Sequence, residues 1–140
     1  IVLCNAITDR HPDHGRAAKL VSDACFLAGL RKIVTEDENG IQEKWRPKSV
    51  YHYTQDRHLK VDFAVDITDY IDKKLEVIAA YKSQFFDPES TEPLTPISGP
   101  EFIDSIKSKH RIYGRDIGVD YAEGFTVDRI PGVKDLFDLM

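Results

Sequence analysis

The chain has 140 residues, 41% of them hydrophobic and 31% charged, which is the composition of one globular domain and not of a disordered segment. Its 19 basic and 24 acidic residues leave a formal net charge of −5, which argues against a nucleic-acid backbone as partner. No apolar run approaches the ~18 residues of a membrane span. The two cysteines, Cys4 and Cys25, are too few for a disulfide scaffold and fit a reducing cytoplasm.

The chain opens on an apolar β-branched run, and residues 1–7 are expected to form a strand buried on both faces of a parallel sheet. The start shows neither a basic leader nor a cleavage site. Few partner strands follow, so a sheet-forming N-terminal segment is expected to lie outside this sequence. Residues 8–14 form a polar loop around Pro12. Residues 15–30 predict an amphipathic helix, with Ala17, Leu20, Val21, Ala24, Leu27 and Ala28 on its apolar face. Asp13 is the expected N-cap, and Gly29 the expected left-handed C-terminal residue.

An acidic turn follows at residues 35–40, then a loop at 45–47 and strands at 49–55 and 61–67. A helix is expected over 68–85, with Ile71, Leu75, Ile78 and Ala79 on one face. Three prolines make 87–96 a loop. Ser98 and Glu101 have capping-box spacing, Pro100 suits a first helical turn, and that helix runs to residue 117, where Gly118 ends it. A short strand is expected at 121–127. The tail 132–140 has no assignment.

The stretch Asp9-Arg10-His11-Pro12-Asp13-His14 concentrates imidazoles, carboxylates and a guanidinium between a strand and a helix. In open α/β sheets ligands bind at that end of a strand. A neutral imidazole is a good zinc ligand, and a carboxylate commonly orients such a ring. Two histidines alone do not make a catalytic zinc site, which usually has three protein ligands. The plain alternative is a helix cap at Asp13 beside two solvated histidines. His-Pro-Asp is also the tripeptide of J-domains, which bind a chaperone partner. There it sits between helices, whereas here an apolar strand precedes it.

The segment DRHPDHGRAAKLVSDACFLAGLRKI resembles the second signature of the LmbE/PIG-L zinc deacetylases, particularly those of the bacillithiol pathway. The similarity continues through VYHYTQDRHLKVDFAVDIT, YKSQF and IGVDYAEGF. It implies a three-layer, Rossmann-like α/β fold, with residues 1–140 forming the C-terminal part of one deacetylase domain. It further implies a cytoplasmic, zinc-dependent hydrolase that removes the N-acetyl group of N-acetylglucosaminyl malate, assembled as a homo-oligomer (a hexamer, by resemblance). Residue by residue, His14 matches the third zinc ligand. His11 matches the histidine that assists the tetrahedral intermediate, by charge stabilisation or as an acid, and Asp13 the carboxylate that orients His11. Arg10 resembles a basic residue beside the substrate pocket.

The family's first signature, an HPDD stretch carrying two further ligands and the general base, has no counterpart here, nor has its sugar-binding arginine segment. The resemblance thus implies about half an active site, inactive without the missing N-terminal half. A deacetylase of another N-acetylglucosamine conjugate and a non-catalytic sugar-binding relative are the competing readings.

Outside this stretch, His52 and His58 lie on or beside the strand at 49–55, with His58 expected at the surface. His110, between Lys109 and Arg111, is expected on a solvated helix face. Cys25 is expected in the core. Glu123 carries no assigned role, Trp45 is open to interface or core packing, and the Tyr70–Tyr81 face is open to core or oligomer packing.

Overall fold

A computed structural model describes residues 1–139. It is a mixed α/β structure. Strand β1 is Val2–Cys4, helix α1 Pro12–Leu27, β2 Glu36–Asp37, β3 Gly40–Ile41, β4 Val50–Tyr53, β5 Phe63–Asp66, α2 Ile71–Ala79, α3 Pro100–Ile117 and β6 Ala122–Val127. Four strands form a mixed sheet in the order β1-β4-β6-β5, while β2 and β3 make a separate hairpin. The chain divides into two compact units, Ile1–Phe63 together with the chain from Phe125 onward, and Ala64–Gly124.

In the first unit β1 pairs in parallel with β4, placing Cys4 opposite His52. β4 pairs antiparallel with β6, placing His52 opposite Thr126 and Tyr53 opposite Phe125. Alternation along the strands gives the sheet two unlike faces. One carries Cys4, His52 and Thr126, all buried. The other carries an aromatic cluster in which Phe63 stands edge-on to Tyr51 at 5.0 Å and stacks on Phe125 at 5.2 Å. Burying a side chain the size of Phe125 contributes about 1.5–3 kcal/mol. Helix α1 packs on β1 and β4, on the His52 face.

Several expectations change here. The first strand is three residues long, and Leu3 is 59% exposed, so it is not buried on both faces. Its only sheet neighbour among the described residues is β4. Helix α1 begins earlier than expected. Its N-cap is His11, whose ring accepts the Asp13 backbone N–H, and Pro12 is the first helical residue. Asp13 is therefore not the cap.

The helix ends at Leu27 with an ordinary right-handed cap at Ala28. Gly29 serves a close approach instead: a Cβ there would collide with the Arg46 guanidinium, which donates to the Phe26 carbonyl at 2.8 Å. The buried face of α1 is Ala18 with the half-buried Val21, Ser22 and Cys25, whereas Leu20, at 70% exposed, faces solvent together with Ala24 and Leu27. The helix has two apolar stripes, and the smaller side chains meet the sheet.

In the second unit, α2 stops at Ala79, well short of 85. Helical bonding restarts at Tyr81, whose carbonyl accepts from Gln84 and Phe85, so the periodicity outlasts the helix. The capping box at Ser98 does not form. Gly99 is the N-cap, and Ser98 Oγ instead accepts the Thr95 backbone N–H. Gly118 ends α3 with φ 79°, as expected of a left-handed cap.

His110 overturns its expectation. It is 1% exposed, on a buried face with Ile106, Lys109, Tyr113 and Gly114. Its Nδ1–H donates to the Ala122 carbonyl at 2.8 Å. Burial above all, then the Lys74 charge, pushes its pKa from 6.5 down to about 4. Glu123 pairs with Lys74.

No helix among the described residues is long and apolar enough to cross a membrane.

Candidate functional site

The polar stretch lies where the loop leaving β1 enters α1. Two features of the sequence give it a defined shape. Pro12 starts the helix where a missing N–H costs nothing, and the turn of helix that follows places His11 and His14 three residues apart on one side. Their ring centroids are 5.4 Å apart.

Asp9 organises this site. Its side chain is 0% exposed, and both oxygens are used. Oδ2 lies 2.6 Å from His14 Nδ1. Oδ1 accepts the backbone N–H groups of Asp56 and Arg57 at 3.0 and 2.8 Å. Burial raises the Asp9 pKa, but the Arg57 amide, the His14 ring, the Arg10 amide and the His14 charge outweigh it and hold the carboxyl below its ordinary value. An ionised carboxylate can only accept, so Nδ1 of His14 carries the proton. In the neutral ring Nε2 then holds the lone pair that a metal ligand needs. The His14 side chain is one-third exposed.

His11 is held differently. Its Nδ1 accepts the Asp13 N–H at 3.2 Å, so in this geometry the neutral ring has its proton on Nε2. The Asp13 carboxylate stands 3.9 Å from that Nδ1, beyond hydrogen-bond distance, and is bound by Arg16 at 2.9 Å. The orientation of His11 thus comes from the backbone of Asp13, where the resemblance implies its carboxylate. Arg10 uses Nε to bind Asp56 Oδ2 at 2.9 Å and remains partly exposed.

The four residues singled out in the sequence therefore share one loop and helix turn, but with unequal roles. Among the described residues no three His, Cys, Asp or Glu side chains converge as a metal cage. The chain itself offers one oriented imidazole, and this does not fit a complete zinc site.

Sequence reasoning missed two things. Asp9 lies five positions before His14, a separation that signals contact only once the loop and the helix start are known. His52 is 2% exposed in β4, with Nδ1 at 2.8 Å from the Asn5 carbonyl and Nε2 at 3.2 Å from Asp128 Oδ1. Cys4 lies 3.2 Å from the same Nδ1. Burial, then the charges of Asp128 and Cys25, pushes the Cys4 thiol up to about 11. Cys4 is therefore an unreactive core thiol. His58 is exposed, as expected, and Cys25 is half-buried.

No protein-family model matches the chain. Among solved structures it is similar to the conserved protein TT1542 from Thermus thermophilus. The TM-score is 0.77 at 31% identity, over 96% of this chain and 54% of that one. It is also similar to GalB, the 4-carboxy-2-hydroxymuconate hydratase from Pseudomonas putida. That TM-score is 0.66 at 18% identity, over 97% of this chain and 55% of that one, a likeness of fold alone. The chain spans about half the length of both structures.

Proposed function

We propose that this chain is the C-terminal part of a zinc-dependent N-deacetylase of the LmbE/PIG-L type, with the three-layer Rossmann-like fold of that family. Its substrate in this reading is N-acetylglucosaminyl malate, in a cytoplasmic step of bacillithiol biosynthesis, and its assembly is a homo-oligomer. The observation that carries the reading is the Asp9–His14 pair, which presents Nε2 of His14 as a ligand atom in the midst of the family-like DRHPDH stretch. The mixed α/β arrangement, with a four-stranded mixed sheet, is consistent with the fold part of the reading.

His14 would supply one zinc ligand, and the remaining two and the general base would come from a segment outside these residues. Zinc completed by that segment would supply Lewis-acid chemistry to a water or a carbonyl. The contribution of this chain is more limited. Asp9 holds the His14 tautomer. The His11 ring is half-exposed, and its Nε2–H could donate to an oxygen that gains negative charge. A preorganised donor of that kind acts mainly on the transition state. Arg10, steadied by Asp56, would present its remaining N–H groups to the anionic end of the substrate.

Fold does not choose the reaction, since a hydratase has the same fold. The test is acetate release by the full-length protein from N-acetylglucosaminyl malate against simple N-acetylglucosamine, with hydration of 4-carboxy-2-hydroxymuconate measured alongside. Preference for the malate conjugate is expected. Turnover of another N-acetylglucosamine conjugate alone would move the assignment within the family. Hydration without acetate release would overturn it.

A further inference from the structure

The turn that follows β4 is tied to the segment carrying the candidate site by every one of its three residues. Gln55 Oε1 accepts the Ala6 backbone N–H at 3.0 Å and the Asn5 side-chain amide at 3.2 Å. Asp56 gives its N–H to Asp9 and its carboxylate to Arg10. Arg57 gives its N–H to the same Asp9 oxygen at 2.8 Å. These bonds join positions nearly fifty residues apart, so they hold the loop after β1 in place from outside.

We propose that the Gln55-Asp56-Arg57 turn is a positioning device for His14, with Gln55 and Asp56 as positioning residues that act through Asp9. A histidine tethered by one carboxylate oxygen is only as well placed as that carboxylate. Asp9 cannot rotate without abandoning two backbone donors, and its own buried carboxylate would lose the bonds that satisfy it. Those donors are fixed in turn by the Asp56–Arg10 ion pair on one side and the Gln55 amide on the other. The turn thereby selects the Nδ1–H tautomer of His14, which an untethered imidazole is not obliged to adopt. This inference rests on the proposed function only for its metal readout.

The experiment uses full-length protein with 15N-labelled histidine, at a pH where His14 is neutral. NMR reads the His14 tautomer, and chelator competition reads the affinity for zinc alone. Wild type should show the Nδ1–H form. Gln55→Leu and Asp56→Ala should show mixed tautomers and lose about tenfold in zinc affinity, the lower end of effects from partners of metal-bound histidines. Gln55→Glu keeps an acceptor for both donors and should restore the wild-type tautomer. Asp56→Asn keeps an acceptor for Arg10, and it stands beside Asp56→Ala should the latter not fold. An unchanged Nδ1–H tautomer in folded Gln55→Leu and Asp56→Ala overturns the proposal. A wild type that binds no zinc, yet whose tautomer shifts in these variants, upholds the positioning role and sinks the deacetylase reading.

Discussion

Asp9 and His14 are joined by a 2.6 Å contact between Oδ2 and Nδ1, and the Asp9 side chain has no exposed surface. A charge-assisted bond of that length, made by a buried carboxylate, sets both the ring position and the location of its proton. Asp9→Asn tests this with little change in shape. The asparagine Oδ1 can still accept from Asp56 and Arg57, but its amide would donate to Nδ1 and force the proton onto Nε2. Zinc affinity should fall by about 10–100-fold, with the fold intact by circular dichroism. Unchanged affinity would mean that Asp9 only braces the loop.

Asp9→Ala should do more, because it leaves two backbone donors without a partner. Each lost bond costs about 0.5–1.5 kcal/mol, and denaturant unfolding should show the loss. Asp9 also contributes to acid sensitivity. Its folded-state pKa lies below the ordinary 3.8, so its stabilisation is present above the unfolded value. It is lost as pH falls from there through the folded pKa. Asp9→Asn should flatten stability below about pH 4.

His110 acts over a different window. Its folded pKa of about 4 lies below the ordinary 6.5, so between these values the unfolded chain binds the extra proton and stability rises with pH. The contribution is complete above 6.5 and lost as pH falls towards 4. His110→Gln retains a donor for the Ala122 carbonyl and should remove that slope. Denaturant midpoints measured across the window check it, and an unaltered slope would assign the dependence to another group.

His11 and Asp13 can be told apart by pairing stability with rate. His11→Ala should cost about 1 kcal/mol as a lost N-cap and about 10²–10³ in kcat as a lost donor to the oxyanion. His11→Asn keeps a good cap, so it should recover the stability and not the rate. Asp13→Asn leaves the backbone N–H that reaches His11 and removes only an exposed pair with Arg16, so the rate should stay within several-fold. A loss equal to that of His11→Ala would show that the Asp13 carboxylate does act on His11.

The strands at β4, β5 and β6 and the Gly118 terminus were legible because alternation and a terminal glycine are local signals. Helix α1 was legible as a helix, but not its buried face, since Leu20, Ala24 and Leu27 form a stripe as regular as the one beneath. Which stripe is covered depends on neighbours, not on spacing. His110 had a readable signal in its helical spacing from Ile106 and Tyr113, and the flanking Lys109 and Arg111 masked it. At the site, residue types pointed to His11 and His14, but the Asp9 contact and the turn at Asp56 depend on a tertiary approach that no local pattern encodes. The cap at His11 was missed because histidine is an unusual N-cap, although Pro12 marked the helix start.

The most direct test of the account is zinc content and acetate release measured together on the same preparations of full-length wild type, His14→Ala and His11→Ala. The account predicts one catalytic zinc and turnover of N-acetylglucosaminyl malate in wild type, loss of both in His14→Ala, and retained zinc with slow turnover in His11→Ala. Retained zinc and turnover in His14→Ala would contradict it.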